Sequence, residues 1–203
     1  MKTLFTLRHA KAAPKDPNVS DHDRPLDKVG KDDALRMGKL IKDKEMIPSL
    51  IISSTALKAK TTAELVAKGS SYQGDIVLNP SLYEAKPKDY LSILETLSDI
   101  YGSVLIVGHN PTIEDTIQML TDSSDVTAIT SCALAHFSLL IEKWSDLSNN
   151  GKIEQGQAVL RENTTKIEER YRQILLSLVK ECYPMMLDLL TNATAYFVLN
   201  YQL

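Results

Sequence analysis

Apolar residues fall along this chain in short, nearly continuous runs separated by longer stretches of helical spacing. Thr3–Leu7, Leu50–Ile52 and Ser103–Val107 are such runs, each short enough and apolar enough to read as a buried strand. Asp75–Leu78 is a weaker run, Ala133–Ile141 a further one, and Ile153–Leu160 a last one. Between them the spacing changes. Ala34, Leu35, Met37, Leu40 and Ile41 recur as one face of a helix starting near Asp27 or Gly30, and Lys58–Ala67, Tyr90–Leu97 and Thr112–Leu120 read the same way. The Ser53–Thr55 cluster is placed to cap the second helix, and Trp144–Gly151 reads as a polar turn. Strand and helix alternating in this order predict a three-layer α/β/α sandwich with a largely parallel sheet. From Asn163 the pattern becomes helical. Ile167, Tyr171, Ile174, Leu178 and Val179 form one stripe, Pro184 breaks it, and Met185–Leu199 forms a second helical segment with no strand after it. The expected organisation is therefore an α/β domain over residues 1–162 and an α-helical extension over 163–203.

Two of the buried runs end in chemistry. The first closes on Arg8-His9 and the third on Gly108-His109-Asn110-Pro111. Ligands of open α/β sheets sit beyond the carboxyl ends of the strands, so two such histidines, about a hundred residues apart, predict two imidazoles over one site. Arg8 supplies a charged fork for an anion. The Gly108 backbone is expected to approach a ligand closely, and Pro111 to open a helix. The second run leads to Lys58 in the first turn of its helix. A cation is unfavourable beside the positive end of a helix dipole unless an anion is held there as well. His136 lies inside a predicted strand and reads as structural.

Composition narrows the function classes. The chain has 203 residues and a formal net charge of -3, which gives no electrostatic case for nucleic acid. No run has the length of a membrane span, and the N-terminal run is too short for a signal peptide. The two cysteines, Cys132 and Cys182, have no metal-type spacing and read as reduced, buried thiols of a cytoplasmic protein.

Four segments, each in the order of the strands, carry a family resemblance. Leu7-Arg8-His9-Ala10-Lys11 resembles an Arg-His-Gly/Ala signature. Asp23-Arg24-Pro25-Leu26 with Gly30 resembles an Asp-x-x-Arg-Pro-Leu-Thr-x-x-Gly segment, with Asp27 where Thr is usual. Ser53-Ser54-Thr55-Ala56-Leu57-Lys58-Ala59-Lys60-Thr61-Thr62-Ala63 resembles Ser-Ser-Pro-x-x-Arg-Ala-x-x-Thr-Ala, and Gly108-His109-Asn110-Pro111 resembles a second-histidine motif. Together they are similar to the histidine phosphatase superfamily, also called phosphoglycerate mutase-like, and within it to the SixA-like phosphohistidine phosphatases. The resemblance runs from Met1 to about Arg161.

It implies a metal-independent, cofactor-free phosphatase. His9 would attack phosphorus and form a phosphohistidine that water hydrolyses. Arg8, Lys58 and His109 would hold the phosphoryl oxygens and stabilise the transition state. Arg24 is a further phosphate contact or the partner of a structural salt bridge, and Asn110 orients His109 or the phosphate. Glu84, in Pro80-Ser81-Leu82-Tyr83-Glu84, matches a family segment that carries a general acid. The implied substrate is a phosphohistidine protein, or else a small phosphate ester. Lys58 stands where the family has Arg. It keeps the charge but loses the planar fork, which leaves a non-catalytic phosphate-binding module as a third reading. The extension is expected to add packing or a homodimer interface, not chemistry.

Overall fold

The computed structural model describes residues 1–121 and 129–147, together with the backbone of 153–159 and 199–201. The elements in order are β1 (Lys2–Arg8), α1 (Lys28–Asp43), β2 (Leu50–Ser54), α2 (Leu57–Ser70), β3 (Ile76–Asn79), α3 (Pro87–Glu95), β4 (Ser103–Gly108), α4 (Thr112–Thr121), β5 (Leu134–Leu139), β6 (Ile153–Val159) and β7 (Leu199–Tyr201). They form one sheet of order β3-β2-β4-β1-β5-β6-β7. The four strands from β3 to β1 are parallel, and β5, β6 and β7 each run antiparallel to the strand before them in the sheet.

Alternation along the buried strands explains the layers. Successive side chains point to opposite faces. Leu4, Leu50, Ile52, Val104 and Ile106 pack with Tyr90, Leu94, Ile113 and Ile117 of α3 and α4. Phe5, Leu7, Ile51, Leu105 and Val107 pack with Met37, Ile41, Ala59, Ala63 and Val66 of α1 and α2. Both faces of these strands are thus apolar, and this is why they read as continuous runs instead of alternating ones. The register sets Arg8 opposite Gly108, so β1 and β4 end at the same level and bring His9 and His109 to one edge.

Helix starts differ in detail from the sequence reading. Asp27 does cap α1, its carboxylate accepting from the Gly30 N–H at 2.6 Å. By contrast α2 is headed by Ala56, with no side-chain cap. Ser54 Oγ instead accepts from the Ala56 N–H at 3.3 Å, because β2 runs on through Ser54 and the Ser/Thr cluster ends one residue short of the cap position. Nor is the stretch from Trp144 a purely polar turn. Trp144 is fully buried, and its indole N–H donates to the Tyr101 carbonyl at 2.8 Å. His136 stacks on Phe5 with ring centroids 4.8 Å apart, as a structural residue would. Cys132 is buried. Among the described residues no helix is long and apolar enough to cross a membrane. The helical segments predicted from residue 163, and Cys182, lie outside the described residues, except that Leu199–Tyr201 pairs antiparallel with β6 where no strand was expected.

Candidate active site

The site lies at the carboxyl ends of β1, β2 and β4. The His9 and His109 rings face each other with centroids 5.2 Å apart and planes tilted by 56°. His9 Nδ1 is 2.8 Å from the Ala10 carbonyl oxygen. A carbonyl oxygen can only accept, so Nδ1 carries the proton and the Nε2 lone pair is left for bonding. Burial, with the nearby Lys58, Arg8 and Arg24 charges, pulls the His9 pKa down to about 4. The ring is therefore neutral at pH 7. His109 is held at about 3 by burial first, then by His9 and Lys58. Its Nε2 shares a 2.9 Å hydrogen bond with the buried Ser54 hydroxyl.

Three cations surround the pair. Arg8 donates from Nη1 to the Ile129 carbonyl, while its buried Nε has no hydrogen-bond partner among the described residues. Lys58 is only 4% exposed, and its ammonium pairs with Asp21. Arg24 Nη2 meets the other Asp21 oxygen at 2.7 Å, Nη1 donates to the Ala13 carbonyl at 3.2 Å, and its Nε is also buried and unpartnered. Asp21 is thus a carboxylate bridging two of the predicted phosphate-binding cations. Hydrogen bonding from Lys58 leads the causes that hold its pKa at about 2. The loop that carries it is fastened to α2. The Leu57 N–H donates to the His22 carbonyl at 2.8 Å, and His22 Nε2 meets Thr55 Oγ1 at 3.0 Å. Thr62 ties α2 to β1, accepting from the Ala10 N–H at 3.0 Å and donating to the Lys58 carbonyl at 2.6 Å.

Arg8, His9, Arg24, Lys58 and His109 are thus brought together. Lys60 points away and pairs with Glu64 along α2. Asn110 stands beside His109, its buried Oδ1 without a hydrogen-bond partner among the described residues. It donates from Nδ2 to Glu114 and to the Ile129 carbonyl, fixing the segment that Arg8 also holds. At Gly108 the space a side chain would need is taken by Tyr90: a methyl there would lie 1.9 Å from the Tyr90 hydroxyl. Pro111 stands just ahead of α4, after a cis peptide bond. Glu84 is exposed, in the left-handed region at φ 56°.

Sequence reasoning passed over Ser54, Asp21, His22 and Tyr83. Tyr83 sets its ring edge-on to His109 at 5.5 Å and to His22 at 4.9 Å. Burial, then the Asp21 and Glu84 charges, push its phenol pKa up. Asp21 carried a usable signal. It, not Asp23, stands three residues before Arg24 in the Asp-x-x-Arg spacing, and only it reaches Lys58. Asp23 instead accepts from the Ser20 hydroxyl at 2.7 Å.

The parallel strands of the sheet thus gather a neutral imidazole with a bare Nε2, a second imidazole and three cations, a set of groups whose charge and donors suit a phosphoryl-type oxyanion. No family model matches the chain. The structure resembles a protein provisionally designated phosphohistidine phosphatase SixA from Agrobacterium tumefaciens, with 31% sequence identity and a TM-score of 0.64 over 68% of this chain and 92% of that one. A protein histidine phosphatase SixA complexed with tungstate shares the fold, at 23% identity and a TM-score of 0.65 over 77% and 96% of the two chains. An uncharacterized chloroplastic protein of Arabidopsis thaliana is 28% identical over 132 residues, 61% of either chain, so the chain spans about three fifths of that relative's length. The chain belongs to the histidine phosphatase superfamily, the phosphoglycerate mutase-like proteins.

Proposed function

We propose that this protein is a phosphatase that works through a phosphohistidine on His9, and that its substrate is a phosphohistidine of another protein. The observation that carries the reading is the Ala10 carbonyl on His9 Nδ1. It fixes the tautomer that leaves Nε2 nucleophilic, and burial keeps that nitrogen unprotonated. In the first step the Nε2 lone pair forms a bond to phosphorus. The bond from phosphorus to the leaving nitrogen breaks, and its electron pair goes to the departing ring, which carries a proton on its other nitrogen and so leaves as neutral imidazole. In the second step a water oxygen bonds to phosphorus and the P–N bond to His9 breaks. Its electron pair returns to Nε2, and the products are phosphate and free His9. Arg8, Lys58 and Arg24 neutralise the phosphoryl oxygens throughout. An imidazole leaves readily without a strong acid, which suits a site where Glu84 is exposed. An alkyl ester would need a proton delivered to its oxygen.

The test is hydrolysis of a phosphohistidine protein and of p-nitrophenyl phosphate, in a metal chelator, by wild type and His9→Ala. Turnover by wild type that disappears in the variant, with phosphate trapped covalently on the wild-type chain alone, is the expected result. Wild type that binds phosphate but turns over neither substrate would make the protein a phosphate-binding module. Turnover of the ester alone would make small phosphate esters its substrates.

A further inference from the structure

Four rings form a continuous row across the site. His9 faces His109 at 5.2 Å, His109 meets the edge of Tyr83 at 5.5 Å, and Tyr83 meets His22 at 4.9 Å. Both ends of the row are anchored. His9 follows β1 directly, and His22 is held by Thr55 at the start of α2. The residue before His22 is Asp21, paired with Lys58. Tyr83 and His22, both half-buried, thus form the end of the row that lies beside the loop whose Asp21 pairs with Lys58. In-line attack by His9 expels the leaving group on the side of phosphorus opposite Nε2.

We propose that Tyr83 is a specificity-determining residue, the wall against which a flat, ring-shaped leaving group such as an imidazole or a phenol rests. The inference builds on the phosphatase reading above and adds the residue that recognises the leaving group. Tyr83 is already committed edge-on to two imidazoles, and the same geometry receives a third ring. Such edge and offset contacts prefer centroid distances of roughly 4.5–7 Å. An aliphatic group has no quadrupole to match and gains only contact area. Tyr83 has structural roles as well, against His109 and through a side-chain hydrogen bond to Asp21, and those are indifferent to what the phosphoryl group carries.

Phosphonates separate the two roles without turnover. Binding of phenylphosphonate and of methylphosphonate to the full chain is measured by calorimetry for wild type, Tyr83→Phe and Tyr83→Leu, with melting curves to check folding. Wild type and Tyr83→Phe are expected to prefer phenylphosphonate equally. Tyr83→Leu is expected to lose about threefold to tenfold of that preference, the worth of one aromatic pair, while its affinity for methylphosphonate stays. An unchanged preference in Tyr83→Leu, or equal loss for both ligands, overturns the proposal. Failure of the phosphatase reading shows elsewhere, as wild type inert in the hydrolysis assay.

Discussion

Lys58 Nζ is paired with Asp21, a carboxylate that sits on an exposed loop while the lysine itself is almost wholly buried. The same carboxylate holds Arg24 at 2.7 Å. An internal anion thus rests between two cations that a phosphoryl group would also claim. A lone ammonium buried without a counter-ion is costly, so the pair explains how a lysine is kept buried beside the site.

On the proposed function, Asp21 and a bound phosphate would compete for the same donors, Lys58 and Arg24. Asp21→Asn keeps the shape and removes the charge, so inorganic phosphate should bind more tightly, by about threefold to tenfold, a charge-assisted contact discounted for solvent exposure. Competitive inhibition by phosphate in the two proteins checks this. Weaker binding in Asp21→Asn would mean that the carboxylate serves to hold Lys58 in place.

Replacing Lys58 by Arg restores a planar fork. Two parallel hydrogen bonds to phosphoryl oxygens replace one point contact, and kcat/KM should rise severalfold, with Lys58→Met falling at least tenfold. A steady-state comparison of the three proteins on one substrate decides it. A fall for Lys58→Arg would show that the pocket around Asp21 is fitted to the shorter head group.

Both site histidines have pKa values below the ordinary value of about 6.5, His9 at about 4 and His109 at about 3, through burial first. The unfolded chain therefore binds more protons than the folded one between about pH 6.5 and those values. Stability contributed by keeping the rings neutral is full above about 6.5 and is lost as pH falls toward 4 and 3. Ring nitrogen NMR should show His9 neutral and protonated on Nδ1 at pH 7 and still mostly neutral near pH 5. A His9 titration centred near 6.5 would remove the argument for its buried, neutral state.

The legible part of this fold was the part set by local pattern. β1, β2 and β4 are buried on both faces, so Leu4–Leu7, Leu50–Ile52 and Val104–Val107 declare themselves as strands. The histidines follow because each comes directly after a strand. What pattern could not show was direction: β5 runs antiparallel to β1, and no spacing within Leu134–Leu139 encodes that. Partners across loops were equally hidden. Asn110 pairs with Glu114 and Ile129, and Tyr83 meets His109, because loops from different strands converge, and such contacts have no period in the sequence. The buried Trp144 was concealed by polar neighbours such as Lys143 and Asp146.

The tightest constraint near the site is the meeting of Gly108 with Tyr90. A β-carbon at 108 would lie 1.9 Å from the Tyr90 hydroxyl and 2.8 Å from the ring carbon that bears it. Tyr90 is fully buried beneath β4 and cannot swing away. Gly108→Ala should therefore destabilise the protein by about 1–3 kcal/mol, the usual cost of overpacking, and should also displace the adjoining His109. Tyr90→Phe removes the worst clash but leaves the ring carbon too near, so the double variant should recover only part of the loss. Denaturant midpoints for the two single variants and the double one measure this coupling. Strict additivity would show that the strand end yields at 108 without pressing on Tyr90.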